Sequence, residues 1–141
     1  MPTNNEKSSK LVRLEEIDST NTYALNLFEE LQDRTLVTAD RQTAGRGRRG
    51  KTWISPPGVN VYASYVIKQM PFTASKCSWI GGLAAIQALR EIEEGLDCWI
   101  KWPNDVFCGD RKICGLLCEA HSDAKNVIDG VVIGLGVNLN M

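Results

Sequence analysis

The chain has 141 residues, 43% of them hydrophobic, enough for one globular domain and too few for two. Its 16 Lys+Arg against 17 Asp+Glu leave a net charge of -1, which excludes the global basic field that drives nonspecific nucleic-acid binding, so any anion site must be local. Met1 to Lys10 is polar without an apolar signal segment, and no stretch approaches the ~18 apolar residues of a membrane span, so the chain reads as soluble and cytoplasmic, with a disordered tail over residues 1–10 and a domain over 11–141.

In chain order, Leu11 to Ile17 alternates apolar and charged residues as a half-buried strand does. Asp18, Ser19, Thr20 and Asn21 offer N-caps to a helix that carries Ala24, Leu27, Phe28 and Leu31 at helical spacing. Thr35 to Ala39 is a short β-branched strand, Asp40 to Lys51 a polar loop punctuated by glycine, and Val59 to Ile67 a strand again after Ser55-Pro56-Pro57-Gly58. Ser75 to Glu94 has the longest helical period, with Ile80, Ala84, Ala88 and Ile92 as its apolar stripe. Gly81, Gly82, Ala84 and Ala85 would let it approach a sheet closely, and Gly95 lies just past its end. The last third reads as hairpins: Cys98 to Lys101, the breaker Trp102 to Asp105, Val106 to Cys108, the turn Gly109-Asp110-Arg111, Lys112 to Ala120 and Val127 to Leu139, with His121 to Asn126 an exposed connection. Helices early and hairpins late predict an α+β domain, with helices on one face of a mostly antiparallel sheet, rather than parallel βαβ winding.

Five cysteines with no CxxC pair, and His121 as the single histidine, suit reduced thiols better than a disulfide framework. Cys114 and Cys118 would share a strand face and raise the thought of zinc, but two thiols without further ligands make a poor structural site, so no metal ligand is assigned.

The most informative segment is Gln42-Thr43-Ala44-Gly45-Arg46-Gly47-Arg48-Arg49-Gly50-Lys51. Gly45, Gly47 and Gly50 satisfy GxGxxG, yet a dinucleotide-binding turn must open a helix, and the continuation through Pro56-Pro57-Gly58 cannot be one. What remains is a loop with four cations, Arg46, Arg48, Arg49 and Lys51, whose mutual repulsion favours an extended, mobile state until an anion neutralises it. Taken alone, it would better suit a solvated basic loop for RNA or an acidic partner.

Ser19-Thr20-Asn21, Gln42-Thr43-Ala44-Gly45-Arg46-Gly47-Arg48-Arg49-Gly50, Lys101-Trp102-Pro103-Asn104-Asp105, Lys112-Ile113-Cys114-Gly115-Leu116-Leu117 and Gly134-Leu135-Gly136-Val137-Asn138 together resemble, in order, the motifs of biotin protein ligases over about Leu11 to Asn140. The resemblance implies a catalytic domain related in fold to class II aminoacyl-tRNA synthetases. It implies that biotin and Mg-ATP (with Mg2+ carried by the nucleotide) yield biotinyl-5′-adenylate and pyrophosphate, and that a lysine of a biotin carboxyl carrier protein then takes the biotin. It carries Ser19, Thr20, Asn21, Gln42, Gly45, Arg46, Gly47, Arg48, Lys101 and Gly115 to biotin binding, and Arg48, Arg49, Trp53, Asn104 and Lys112 to ATP. Lys101 and Arg48 are its catalytic cations, and Asp105 is structural or near phosphate and magnesium.

Elementary chemistry agrees with the residue types. A carboxylate attacking the α-phosphorus of ATP brings two anions together and needs cations to offset the repulsion. A neutral ureido ring needs paired donors and acceptors in an otherwise apolar pocket. Ser19 and Thr20 would also serve as plain N-caps, Trp53 as a core anchor and Lys101 as an exposed strand-end lysine. Lys51 stands where the family commonly has arginine, which keeps the charge and forfeits bidentate geometry. Three rivals remain open: a lipoate ligase, a non-catalytic biotin-binding relative, and a basic-loop nucleic-acid module, which the net charge disfavours. No helix-turn-helix precedes Leu11, so no DNA-binding domain is expected; a homodimer is compatible. The family continues past Asn138 with more catalytic-domain helix and a small β domain, so the chain is expected to lack them, to leave one face of the apolar run Val131 to Val137 uncovered, and to turn over poorly alone.

Overall fold

The computed structural model describes residues 10–69, 73 and 76–140. The expectation for residues 1–10 therefore falls, save Lys10, outside the described residues, as does the expected helix start at Ser75. In chain order the elements are β1 (Leu11–Ile17), α1 (Thr20–Asn26), β2 (Leu36–Gln42), β3 (Val61–Ile67), α2 (Cys77–Ile92), β4 (Cys98–Lys101), β5 (Asp105–Cys108), β6 (Arg111–Ser122) and β7 (Ile128–Val137). The strands form one seven-stranded sheet in the order β1-β2-β3-β7-β6-β5-β4. Each ladder is antiparallel except β1–β2. That parallel pair is the one joined by a helix, because parallel neighbours need a crossover where antiparallel ones need only a turn. The α+β expectation thus stands, with the sheet mixed at one edge.

Strand alternation assigns the faces. On β7, Val131 and Ile133 join the cluster under α2, with Leu116, Val106, Ala85, Ile86 and Leu89. Val132, pointing the other way, joins Val66, Val37, Ala24 and Phe28 under α1. The two helices therefore lie on opposite faces, which corrects the expectation that both share one. With both faces of β7 packed, Val131 and Val132 are at most 1% exposed, so the expected uncovered face is not there either.

The uncovered apolar surface lies on α2 instead. Its buried side is Cys77, Ser78, Gly82, Ala85, Ile86 and Leu89, while Ile80, Ala84, Ala88 and Ile92, the expected core stripe, face outward with Trp79 and Leu83. The first half of α2 is apolar on almost every side, so periodicity there does not choose one, while exposed Gln87, Arg90 and Glu91 mark the outer side of the second half. In the first half the choice falls to size: a Cβ on Gly81 would lie 2.8 Å from Leu116 Cδ2, and one on Gly82 3.2 Å from Ile100 Cδ1. No helix among the described residues is long and apolar enough to cross a membrane.

Helix α1 is shorter than expected, yet Phe28 and Leu31, beyond its end, still face inward and are buried. His121 is no exposed connector. Strand β6 runs through it, and its half-buried ring stacks on Phe28 at 4.0 Å and meets Asp129 at 2.6 Å.

Candidate active site

On the α1 face of the sheet, a cavity of about 370 Å³ opens between the start of α1, the ends of β2, β6 and β7, and the loop after β2. That volume lies within the range of small-molecule sites. Its floor is glycine. A Cβ on Gly115 would come within 2.6 Å of the Trp53 ring, one on Gly136 would collide with the same indole, and one on Gly134 with the Asn21 amide. The missing side chains thus let Trp53 and Asn21 pack directly on strand backbone.

One end is neutral and polar. Ser19 caps α1 in an extended conformation, its Oγ accepting from Thr22 N at 3.3 Å, so Thr20 and Asn21 enter the first turn. Gln42, the last residue of β2, accepts at Oε1 from Thr20 N at 2.8 Å, and its Nε2 donates to Ser55 Oγ at 3.0 Å. Ser19, Thr20 and Asn21 are all buried, and all four side chains line the cavity.

The loop is not an extended strand of charges. It folds back on itself: Arg46 bridges to Thr52, Gly47 N donates to Lys51 O at 2.7 Å, and Trp53 N to Gly45 O at 2.8 Å. Between them Arg48–Gly50 makes a single 3-10 turn, with Arg49 at φ 55. Gly45 is required by this fold-back, since a Cβ there would lie 2.7 Å from Ser55 Oγ. Arg46 then reaches across the sheet to Glu119, both Nη atoms donating to its carboxylate at 2.8 and 2.7 Å. Burial alone would push the Glu119 carboxyl up; the bonds from Arg46 and Asn21 and the charge of Arg46 hold it below its usual value. The guanidinium is raised in turn, chiefly by that bond, against the effect of burial.

The other end is cationic. Arg48, Arg49, Lys51 and Lys112 line it, with Asp105. Lys112 Nζ lies 2.9 Å from Asp105 and 5.3 Å from the Trp53 ring centroid. The Trp53 Nε1 is buried and has no hydrogen-bond partner among the described residues.

Of the residues singled out by sequence, Ser19, Thr20, Asn21, Gln42, Arg46, Gly47, Arg48, Arg49, Trp53, Lys112 and Gly115 line one cavity, and Gly45 supports its loop. Lys101 and Asn104 do not line it. Lys101 is exposed at the edge strand, its Nζ 5.2 Å over the Phe107 ring. Asn104 is buried and spends its amide on Ser78 Oγ and Leu116 O, both at 3.1 Å. Glu119 and Ser64 were missed, and Gly134 was named only as part of a motif with no ligand assigned to it. Glu119 shares the face of Gly115 and Leu117 by strand period, but that period alone does not mark it as functional. Burial pushes the Cys114 thiol up to about 12 and the Cys118 thiol to about 11, which opposes the thiolate that a metal would need.

Comparison with known proteins agrees with this geometry. The family model described as the biotin/lipoate A/B protein ligase family matches residues 14–138. The bifunctional ligase/repressor BirA of Salmonella typhimurium is 39% identical over 137 residues, covering 95% of this chain and 42% of that protein. The biotin protein ligase of Aquifex aeolicus, solved with biotin and ATP, superposes with a TM-score of 0.81 at 33% identity, covering 95% of this chain and 54% of the other. That of Leishmania major, solved with biotinyl-5-AMP, gives 0.80 at 30%, covering 95% and 59%. The chain thus spans about two fifths of that curated relative and somewhat over half of the two solved chains. Because the family model matches residues 14–138, most of the chain, the chain belongs to the biotin/lipoate A/B protein ligase family.

Proposed function

We propose that this chain is the substrate-binding core of a biotin protein ligase, which activates biotin with ATP to biotinyl-5′-adenylate and passes it to a lysine of a biotin carboxyl carrier protein in the cytoplasm. The observation that carries the reading is the polarity of one cavity: neutral donors and acceptors at Ser19, Thr20, Asn21 and Gln42 at one end, four cations at the other, and a glycine floor between. A ureido head fits the first, and a carboxylate meeting a triphosphate fits the second.

In this reading the acid lies along the floor with its carboxylate toward Arg48 and Lys112, where the two charges offset the repulsion as it attacks the α-phosphorus. The phosphorus–oxygen bond to pyrophosphate breaks as the new mixed anhydride forms. The carrier amine then attacks the biotinyl carbonyl, expelling AMP and losing a proton. The position of Lys112 on the cavity wall, with Lys101 outside it, favours Lys112 for the role that the sequence resemblance gave to Lys101. Magnesium would arrive with the nucleotide; Asp105 is the acidic residue among those lining the cavity, and it would have to exchange its pairing with Lys112 to serve the ion. Trp53 packs on Gly115 and Gly136 and would have to lift off them to make room for the acid, its ring then free to cover the activated species.

Biotin-dependent exchange of pyrophosphate into ATP, with lipoate as the control acid, tests the proposal. Exchange with biotin and not lipoate is the expected result; exchange with lipoate alone, or no binding of biotin by a folded chain, would overturn it.

A further inference from the structure

We propose that Glu119, which does not line the cavity, sets the donor and acceptor pattern of the groups that meet the head of the bound acid, by fixing the direction of a hydrogen-bond chain running beneath them. The inference rests on the biotin reading above.

The chain begins at a carboxylate that can only accept. Glu119 Oε2 takes one Asn21 amide proton at 2.9 Å, and Leu117 O takes the other at 3.0 Å. With both protons committed the amide cannot turn over, so Asn21 Oδ1 faces Ser64 Oγ and must accept its single proton. The Ser64 oxygen is then left to accept from Thr20 Oγ1, 2.8 Å away, which draws the Thr20 proton away from Gln42 Oε1 at 3.1 Å. Gln42 is fixed from its other side. The Ser55 hydroxyl donates to Trp53 O at 3.0 Å and so can only accept from Gln42 Nε2.

The result is a defined pattern at the head end. Thr20 Oγ1 and Gln42 Oε1 keep lone pairs, and Gln42 Nε2 keeps one proton. Two acceptors and a donor complement the two N–H groups and the carbonyl of a cyclic urea. If the Asn21 amide reversed, Ser64 would donate to Thr20, Thr20 to Gln42 Oε1, and one acceptor would be consumed. The carboxylate is kept ionised by Arg46 and Asn21, so the pattern is locked by the same residue that anchors the basic loop.

Glu119 is thus a positioning residue, and Ser64 is its relay: fully buried, beneath the cavity and not among its lining residues. The test is calorimetric titration of biotin into the 141-residue chain and its Glu119→Gln, Ser64→Ala and Glu119→Asp variants, with thermal unfolding as the check on folding. Glu119→Gln and Ser64→Ala should each weaken biotin at least tenfold, the double variant should be no weaker than the poorer single one, and Glu119→Asp, still acceptor-only, should recover part of the loss. Ser64→Ala leaves the Arg46–Glu119 pair in place, so it isolates the relay from the loop and carries the test if Glu119→Gln fails to fold. A folded Ser64→Ala protein that binds biotin within twofold of the parent, or losses that multiply in the double variant, would overturn the proposal while leaving the biotin reading intact. Failure of the parent itself to bind biotin would sink both.

Discussion

Gly136 and Trp53 occupy adjoining space with nothing to spare: a Cβ on Gly136 would lie 2.5 Å from the indole Nε1 and 2.6 Å from Cζ2. The indole therefore rests directly on the backbone of β7. Gly136→Ala should push it off the floor, at a cost of about 1–3 kcal/mol in stability, the usual scale for overpacking. Trp53→Ala should absorb most of that cost, so thermal unfolding of the two single variants and the double one should show strong coupling. Additive losses would mean that the two residues do not press on each other.

The competition between two lysines is decided by kinetics. Lys112→Ala should lower pyrophosphate exchange by roughly 30- to 900-fold, corresponding to about 2–4 kcal/mol of lost transition-state stabilisation. Lys101→Ala should cost much less, because its ammonium lies over Phe107 and outside the cavity. The reverse order would return the central role to Lys101.

Amide exchange should locate the lid. Gly47, Lys51 and Trp53 donate within the folded-back loop, at 2.7, 3.1 and 2.8 Å, and these bonds hold four like charges close together. Biotin with ATP should neutralise the charges and slow exchange at these amides, while the β6–β7 ladder changes little. Equal protection with and without ligands would show that the loop is already closed.

Acid should unlock the Arg46–Glu119 pair. The folded-state pKa of Glu119 is depressed, so the stability it contributes is present above the unfolded pKa of about 4.3 and is lost as pH falls through the lower folded value. Melting curves from neutrality down to about pH 3 should therefore show the parent losing more stability than Glu119→Gln, whose side chain does not titrate. Parallel curves would place the pair outside the stability balance.

The strands were legible because alternation and turn residues mark them locally; β1, β4 and β5 lie within a residue of where the pattern puts them. What escaped was relational. Ile80 reads as core because the first half of α2 is apolar on almost every side, and there the bulk of Leu116 and Ile100 opposite decides which side fits. The site was legible as residue types at the chain's turns and loop. Glu119 was not, because a carboxylate midway along a half-buried strand has no local signature; its meaning comes from Arg46, seventy-three positions away. Lys101 and Lys112 carry the same chemistry in sequence, and the sheet register alone separates an edge strand from a cavity wall.

Strand β7 comes last in chain order yet sits at the centre of the sheet, between β3 and β6. Until it is made, the strands on its two sides share no ladder, and the nascent chain carries two sheet fragments with unfilled hydrogen-bonding edges. The cavity does not exist in either, since Ser19 and Gln42 belong to the first fragment, Lys112 and Gly115 to the second, and Gly134 and Gly136 to the strand that joins them. Such long-range closure is slow and leaves edges open to other chains while it lasts. A ligand that seats in this cavity thus meets only molecules in which β7 has joined the two fragments, and in a cell making this protein it would draw the folding equilibrium toward the joined sheet.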